Sequence, residues 1–268
     1  MKKQIFLLTG YHFGARGRLY QAMLALFCLI GGWTASAGAM DANEILQEVD
    51  RSMASDSQEM VLRIVNRLVA KEEPPVVMAM AKRGGDRLIA LVIAPDALKG
   101  VTAFRSGAEV WLRMPGKNIE MQQEGLARAF FGAGVFNNED ILHLDYHEEY
   151  KAELAREDQT NWHLELTPRH DWVPYTRLSM VVDKEFKLPR SVTQYGPGHT
   201  LIKTIRYTQM QRFGDGPMRP SLLETANPLN PGYTSTLRYG DVQNHEAPEA
   251  LFSKTALAKI GSYFMREK

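Results

Sequence analysis

The chain contains almost no cysteine: Cys28 is the only one among 268 residues. Residues 40–268 therefore have no thiol for a disulfide, a nucleophile or a metal site. Cysteine-based catalysis and thiolate metal centres are excluded for this part of the chain. A fold of this size without disulfides must be held by its hydrophobic core.

The familiar catalytic motifs are also missing. The sequence has no Gly-x-Ser-x-Gly elbow, no glycine-rich phosphate loop before a helix and no His-Glu-x-x-His zinc helix. A triad of scattered residues stays open as an alternative, because triads are defined in space and not by sequence order. We expect a protein that is not an enzyme and that uses no cofactor.

One short segment has the composition of a metal site. His143, Asp145 and His147 alternate along the chain, with Glu148 and Glu149 beside them. Spacing of two places side chains on one face of a strand, and spacing of four places them on one face of a helix. Apolar residues alternate with these polar ones, which is typical of a half-solvated segment. We therefore predict a solvated face and no metal site.

The sequence lacks a strong charge of either sign. Residues 1–39 contain four basic residues and no acidic residue, so 28 Lys and Arg face 31 Asp and Glu in the remainder, a net charge of −3. Such a balance gives no electrostatic footprint for nucleic acid or for anionic lipid surfaces. We expect no nucleic-acid partner.

Long apolar runs are confined to residues 1–39. Basic residues precede an apolar core from about Leu19 to Ile30, and small residues occupy positions 35–39, which is the pattern of a secretory signal. The core is shorter than the roughly 20 residues that a membrane span requires, and a retained anchor is the alternative. Cys28 follows Phe27 where a lipoprotein signal has Gly or Ala. We predict cleavage after Ala37 or Ala39, and a single soluble periplasmic domain of residues 40–268.

Short alternating segments dominate this predicted domain. Trp162-Leu164-Leu166, Leu178-Met180-Val182 and Tyr150-Ala152-Leu154 are apolar at every second position, with polar residues between them. Because side chains alternate across a strand, these segments form a sheet with one apolar face.

The same reasoning places the other elements. Asp41 and Glu44 are typical of a helix start, and Ile45, Val49 and Met53 share a helical face. Residues 115–146 break the alternation, with a short helix at 141–144, and residues 214–231 have the composition of an irregular connection. We predict a helix over 42–53 and strands near 58–70, 75–82, 86–94, 101–105, 108–114, 147–156, 161–168, 174–183, 188–195, 199–208 and 233–242.

Aromatic and methionine side chains, with two leucines of the predicted apolar face, are the candidate ligand-binding residues. Methionine repacks easily and is common where a surface accepts varied apolar partners, although buried core is the alternative for each residue. Segment 125–136 is glycine-flanked and phenylalanine-rich, which predicts a mobile lid or, as the alternative, a fixed core segment. The candidates for the apolar cavity and its lid are Trp111, Met114, Phe130, Phe131, Phe136, Trp162, Leu164, Leu178 and Met180.

Seven short features occur in a recognisable order. They are helix 42–53, the turn Pro95–Gly100, the strand Glu109–Pro115, the segment Phe136–Leu142, Leu166-Thr167-Pro168, Val182-Asp183 before Leu188-Pro189, and Leu251-Phe252-Ser253. In this order the chain resembles the outer-membrane lipoprotein-sorting (LolA-like) proteins. Within them it is most similar to the larger, poorly characterised group associated with lipid-exporting permeases of the resistance-nodulation-division (RND) type.

The resemblance implies a mainly β (α+β) fold: an unclosed antiparallel β-barrel or strongly curved sheet, with short helices covering its concave apolar face. It implies that acyl chains of a lipid or lipoprotein are held there, and that Trp111 corresponds to the family's strand tryptophan. The implied partners are an RND-type transporter of the inner membrane, an outer-membrane acceptor, or both.

Three functions therefore remain open. The first is a periplasmic carrier or acceptor that shields acyl chains during transfer between envelope membranes, without catalysis. The second is a lipid-sensing regulator that binds a membrane or signalling partner, and the third is a hydrolase or transferase acting on a lipid. The one-sided apolar sheet, the predicted lid and the missing motifs favour the carrier.

Overall fold

The computed structural model describes residues 40–53, 57–69, 71–115, 119–124, 134–141, 145–244 and 246–265. The described residues from Asp41 onward form one compact unit. The strands are β1 (Ser57–Leu68), β2 (Lys71–Glu72), β3 (Val76–Arg83), β4 (Arg87–Ala94), β5 (Thr102–Ser106), β6 (Glu109–Met114), β7 (Ile119–Glu124), β8 (Tyr150–Glu157), β9 (Asn161–Pro168), β10 (Arg177–Asp183), β11 (Pro189–Tyr195), β12 (Leu201–Arg212), β13 (Met218–Asn227) and β14 (Asn230–Gln243). The helices are α1 (Ala42–Met53), α2 (Asn138–Ile141), α3 (Tyr146–Glu149) and α4 (Ile260–Phe264), with 3₁₀ turns at Pro197–His199, Glu249–Leu251 and Lys254–Ala258.

The strands pair antiparallel in a single sheet. Its order is β7-β6-β5-β4-β3-β1-β14-β13-β12-β11-β10-β9-β8, and β2 pairs with the end of β1. The two end strands, β7 and β8, follow one another in the chain and do not pair among the described strands. The predicted mainly β fold with an unclosed antiparallel sheet is therefore confirmed, and the opening lies where residues 125–149 connect the two edges.

The predicted first helix is confirmed at both ends. Asp41 begins it, with its carbonyl accepting from the Ile45 amide at 2.9 Å and its own amide donating to Glu44 Oε2 at 3.1 Å. The first contact is the first i→i−4 bond of the helix, and the second gives a partner to an amide that a helix start otherwise leaves unpaired. Ile45, Leu46 and Val49 are fully buried, so α1 packs by one apolar stripe.

Two connections differ from the sequence prediction. Residues 214–231 contain strand β13, in which Pro220 lies opposite Met210 although proline has no amide hydrogen to donate. Residues 115–146 contain β7, and α2 begins at Asn138, three residues before the predicted start. Asn137 caps α2 reciprocally: its amide donates to Asp140 Oδ2 at 2.8 Å, and its Oδ1 accepts from the Asp140 amide at 3.2 Å.

Each face of the sheet carries its own covering elements. We call the face that carries Met60, Leu62 and Ile64 the inner face. Helices α1 and α3 cover it over β8–β11, and Phe136 and Ile141 pack on it over β1, β3–β6 and β12–β14. The C-terminal residues 247–264 cover the outer face of β3–β6. Within the described chain, no helix is both long and apolar enough to cross a membrane.

Candidate functional site

A cavity of about 110 Å³ lies between the inner face and its covering helices. The apolar part of its sheet side consists of alternate residues of seven strands, which point into it. These residues are Met60, Leu62, Met80, Leu88, Leu178, Ile205, Leu223 and Leu237, and Ile141 of α2 adds a further aliphatic side chain from the cover. The cavity is smaller than the roughly 300–1,000 Å³ of drug-sized ligand sites, so a long ligand requires the cover to move outward.

Tyrosines give the cavity a polar but uncharged part of its wall. Tyr146, Tyr150, Tyr175, Tyr207 and Tyr239 all line it. The hydroxyls of Tyr146 and Tyr207 lie 3.1 Å apart, and burial raises the pKa of both phenols. They therefore stay protonated at neutral pH and offer neutral hydrogen-bonding groups beside apolar surface.

A buried ion pair attaches α2 to the sheet. The ammonium of Lys203 on β12 pairs with the carboxylate of Asp140, and the two side chains are 2% and 1% exposed. Asp140 also accepts from Gln194 Nε2 at 2.8 Å, and Lys203 donates to the Val135 carbonyl at 2.9 Å. Removing one member of such a pair would leave the other charge buried and unpaired, which is strongly destabilising. These contacts therefore hold residues 135–140 on the inner face.

A second polar contact joins α1 to α3. Asp50 accepts from the amides of Tyr146 and His147, both at 2.9 Å, and from His147 Nδ1 at 2.8 Å. The hydrogen bond to Asp50 raises the pKa of the imidazole. Three donors on one carboxylate make Asp50 the anchor of the α3 start.

Two further ion pairs link the connecting segment to the first half of the sheet. Lys82 on β3 pairs with Asp145 at 2.5 Å, and Arg105 on β5 pairs with Glu149, with 0% and 1% of these last two side chains exposed. Glu149 and Asp145 are thus tied to the sheet, and the expected solvated face is wrong for Glu149. Its partner Arg105 is 44 residues away, and the local pattern of polar residues gave no sign of that contact.

Arg219 on β13 is a buried cation that, unlike Lys203, Lys82 and Arg105, contacts uncharged groups. Its Nη1 donates to Gln58 Oε1 at 2.7 Å and to the Met53 carbonyl at 3.1 Å, and the guanidinium carbon lies 5.0 Å from the centre of the Phe213 ring. Burial lowers the pKa of the guanidinium. All of these partners are uncharged.

The sequence-predicted site residues fall into separate groups. Leu178 lines the cavity, and Phe136 is 2% exposed in the inner-face cluster beside it. Leu164 and Met180 are buried in the cluster beneath α1, with Trp162 half-buried at its margin. Met114 is half-buried. It follows Val110 and Leu112 at every second position, so it shares their face of β6.

The remaining predicted residues lie elsewhere. Trp111 points to the outer face, where it packs with the C-terminal segment and the Lys254 ammonium lies 3.9 Å from its ring centre. Phe130 and Phe131 are outside the described residues, as is most of the predicted lid 125–136. Within the described ranges, His, Cys, Asp and Glu nowhere form a group of three or more that could hold a metal ion.

Sequence reasoning missed polar residues that line the cavity or contact its cover. Lys203 and Tyr207 share a face with buried Ile205, and Gln194 shares one with Val192, so a polar residue within an alternating apolar row was the available signal. Such residues are costly to bury without a partner, and they mark places where the cover contacts the sheet.

Comparison with known proteins places the fold. Residues 84–259 match the model of a family described as an uncharacterized protein. No curated protein matches the chain.

Three crystal structures are similar over nearly all of their own length. A LolA superfamily protein from Nitrosomonas europaea has a TM-score of 0.73 and 23% identity, covering 81% of this chain and 99% of that one. A putative outer membrane lipoprotein-sorting protein domain from Vibrio parahaemolyticus has a TM-score of 0.69 and 17% identity, covering 81% and 98%. A DUF1329 family protein from Desulfovibrio piger has a TM-score of 0.70 and 18% identity, covering 81% and 97%. At sequence identities of 17–23%, these similarities show that the chain shares the fold of the three proteins.

Proposed function

Since this chain belongs to the LolA-like family of outer-membrane lipoprotein-sorting proteins, we propose that it is a carrier or acceptor for acyl chains. It binds the acyl chains of a lipoprotein or lipid between the inner face of the sheet and its cover, without catalysis. The observation that carries the proposal is the cavity, which is lined by aliphatic side chains of seven strands and lies beneath a separate cover.

Burial of methylene groups supplies the affinity. Each CH₂ that leaves water contributes about 0.8 kcal/mol, so a few methylenes give useful binding without a reactive residue. The sheet side offers leucine, isoleucine and methionine side chains, and methionine adapts to ligands of different shape. The tyrosine hydroxyls add neutral hydrogen-bonding groups where an ester or amide of the ligand would lie.

The opening of the sheet supports reversible loading. Residues 125–149 connect the two unpaired edges, so movement of this connection leaves the strand pairing of the rest of the sheet intact. The contacts of Asp140 and Asp50 hold parts of the cover through side chains, and such contacts can exchange for water when the cover moves outward. The roles of Phe130 and Phe131 in a lid remain a prediction.

The N-terminal sequence supports the proposed periplasmic location, and the family resemblance suggests the proposed partners. A cleaved signal in residues 1–39 would release residues 40–268 into the periplasm, between an inner-membrane RND-type transporter and an outer-membrane acceptor. Loading at one membrane and release at the other suits a ligand whose acyl chains must be kept from water.

The proposal is tested by extracting the protein purified from the periplasm of its host with organic solvent and analysing the extract by mass spectrometry. We expect acyl-bearing molecules at a fixed stoichiometry to the protein. A Leu223→Trp variant, which fills the cavity, should lose them, whereas Leu201→Trp on an exposed strand position should keep them. An extract without such molecules, together with a protein that takes up no acyl ligand when one is added, would contradict the proposal.

A further inference from the structure

The cavity contains one cation, Arg219, whose charge no residue in the described part of the chain balances. The three acidic residues that line it each contact a basic group: Asp140 contacts Lys203, Asp145 contacts Lys82, and Asp50 contacts His147. Among the described residues, the Arg219 guanidinium has three hydrogen-bonding or cation–π partners: the Met53 carbonyl, the Gln58 amide oxygen and the Phe213 ring. No carboxylate among the described residues pairs with it.

Burying a charge without an opposite charge is unfavourable. Arg219 is 8% exposed, and burial lowers its pKa with no carboxylate of the described ranges offsetting the effect. Guanidinium ions keep their proton under such conditions, so the charge persists inside the protein. A structural role alone would be filled at lower cost by an uncharged side chain of similar volume.

The unused hydrogen-bond donors of Arg219 have a defined geometry. Only Nη1 donates to described residues, which leaves the Nε hydrogen and both Nη2 hydrogens without protein acceptors there. Nε and Nη2 form the fork that binds two oxygens of one carboxylate or phosphate. The guanidinium carbon lies over the ring of Phe213 at a cation–π distance of 5.0 Å from its centre.

A neutral donor lies in the same part of the cavity. Tyr239 on β14 lines the cavity, and its hydroxyl makes no hydrogen bond to any residue that the structure describes. The positive charge of Arg219 acts on this phenol, which places the two groups within electrostatic range, while burial raises the pKa of Tyr239 overall and keeps it protonated. A protonated hydroxyl beside a guanidinium provides a third donor to one anion.

We propose that Arg219 and Tyr239 bind the anionic head group, a carboxylate or a phosphate, of an amphiphile whose acyl chain lies against the apolar side of the cavity. The proposal rests on the acyl-chain binding proposed above and specifies its ligand class. Binding pairs the buried charge of Arg219 and removes its unfavourable isolation. The protein then prefers acidic amphiphiles over neutral ones of the same chain length.

The test compares three ligands that share a sixteen-carbon chain: hexadecanoate, hexadecyl phosphate and hexadecanol. Their affinities for residues 40–268 are measured by displacement of a neutral apolar fluorescent probe. We expect at least one anionic ligand to bind about tenfold or more tightly than hexadecanol, as a charge-assisted hydrogen bond at a buried site implies. Inorganic phosphate alone should neither displace the probe nor weaken hexadecanoate binding.

Variants separate head-group recognition from folding. Arg219→Gln should remove the preference for the anionic ligands and leave hexadecanol within twofold, whereas Arg206→Gln, an exposed arginine on β12, should change nothing. Should Arg219→Gln fail to fold, Tyr239→Phe is the second test: it retains the ring and should lower only the affinity for anions, by about three- to tenfold.

The outcomes distinguish this inference from the proposed function. Equal binding of all three ligands by the unchanged protein would overturn the head-group site while leaving acyl-chain binding intact. Equal losses for all three ligands in a folded Arg219→Gln variant would show a structural role and also overturn it. Arg219-dependent binding of inorganic phosphate would assign the site to a free anion. Failure of every ligand to displace the probe would contradict the proposed function itself.

Discussion

Single carboxylates inside this protein hold whole segments in place. Asp50 accepts two amide hydrogens of α3 and one imidazole hydrogen, and it is 8% exposed. Glu48 lies on the same helix but pairs at the surface with Arg51 and Lys187. Asp50 and Glu48 carry the same charge, so their different contributions to stability come from the number of hydrogen-bond donors each accepts from and from how deeply each is buried.

Asp50→Ala should lower the free energy of unfolding by about 3 kcal/mol, because it leaves two backbone amides of α3 without an acceptor. Glu48→Ala, the control on the same helix, should cost less than about 1 kcal/mol. Urea unfolding followed by circular dichroism measures both. Equal effects of the two variants would show that the α1–α3 contact is not an anchor.

The histidine partner of Asp50 makes stability depend on pH. Folding raises the pKa of His147 above its ordinary value of 6.5, so the folded state binds the proton more tightly than the unfolded chain. The resulting stabilisation is complete below pH 6.5 and is lost as the pH rises through the higher pKa of the folded state. In His147→Asn, urea unfolding between pH 6 and 8 should lose this slope, whereas His199→Asn, at an exposed position, should keep it. A slope unchanged in His147→Asn would refute this assignment.

At the scale of elements, the cover and the sheet meet through buried polar contacts. Residues 135–140 contact the inner face through the pair of Asp140 and Lys203, and apolar packing by Phe136 and Ile141 accompanies it. The pair therefore positions α2 more narrowly than apolar packing alone would, since ionic contacts require a particular geometry.

Lys203→Met should destabilise the protein by about 3–5 kcal/mol because Asp140 then remains buried and unpaired. The double variant Lys203→Met with Asp140→Leu should recover most of that loss, while amide hydrogen exchange in residues 134–141 becomes faster than in the unchanged protein. Lys151→Met, which breaks an exposed pair with Glu153, is the control and should cost less than about 1 kcal/mol. A cost below 1 kcal/mol for Lys203→Met would contradict the anchoring role.

The outer face of β6 provides a contrasting element. Trp111 packs there against the C-terminal segment, away from the cavity. Trp111→Ala should lower the free energy of unfolding by about 2 kcal/mol, as loss of a half-buried ring implies, and should leave the affinity for acyl ligands within twofold. Chemical unfolding and probe displacement on the same variant measure the two effects. A large loss of affinity for acyl ligands with unchanged stability would contradict this assignment and show that Trp111 belongs to the binding site.

These elements also mark what the sequence could predict. Alternation is local, so the strands around Leu164 and Met180 and the helix that begins at Asp41 were predicted with small errors. Trp111 shows the limit: Val110 and Leu112 are buried on one side of β6 and Trp111 packs on the other, so the pattern alone does not tell which face lines a cavity. The pairing of Lys203 with Asp140 joins residues 63 positions apart, and only the folded sheet brings them together.

Strand β13 was missed for a chemical reason. Pro220 and the turn residues around it are typical of an irregular connection, and the sequence offers no local sign that the strand tolerates a proline. The consecutive Leu222 and Leu223 are both buried, which fits a strand covered on both faces and breaks the expected alternation. Arg219, next to the proline, was therefore not considered as a cavity residue.

At the scale of the whole molecule, the sheet is continuous except at one place. Its two halves meet at β1 and β14, and the unpaired edges β7 and β8 are joined by the connection that carries α2 and α3. The cavity, the cover and the opening thus belong to one region of the molecule. A protein built this way can expose or enclose apolar surface without unpairing most of its strands.

The central claim is that acyl chains enter this cavity and leave it again. Its most direct test is the transfer of a fluorescent acyl lipid from donor to acceptor vesicles by residues 40–268, with Leu223→Trp as the filled-cavity variant and Leu201→Trp as the control. We expect the unchanged protein and Leu201→Trp to accelerate transfer in proportion to their concentration, and Leu223→Trp to lose at least about nine-tenths of that acceleration, as exclusion of the ligand implies. Transfer that Leu223→Trp supports as well as the unchanged protein, or no acceleration by any of the three, would contradict the claim.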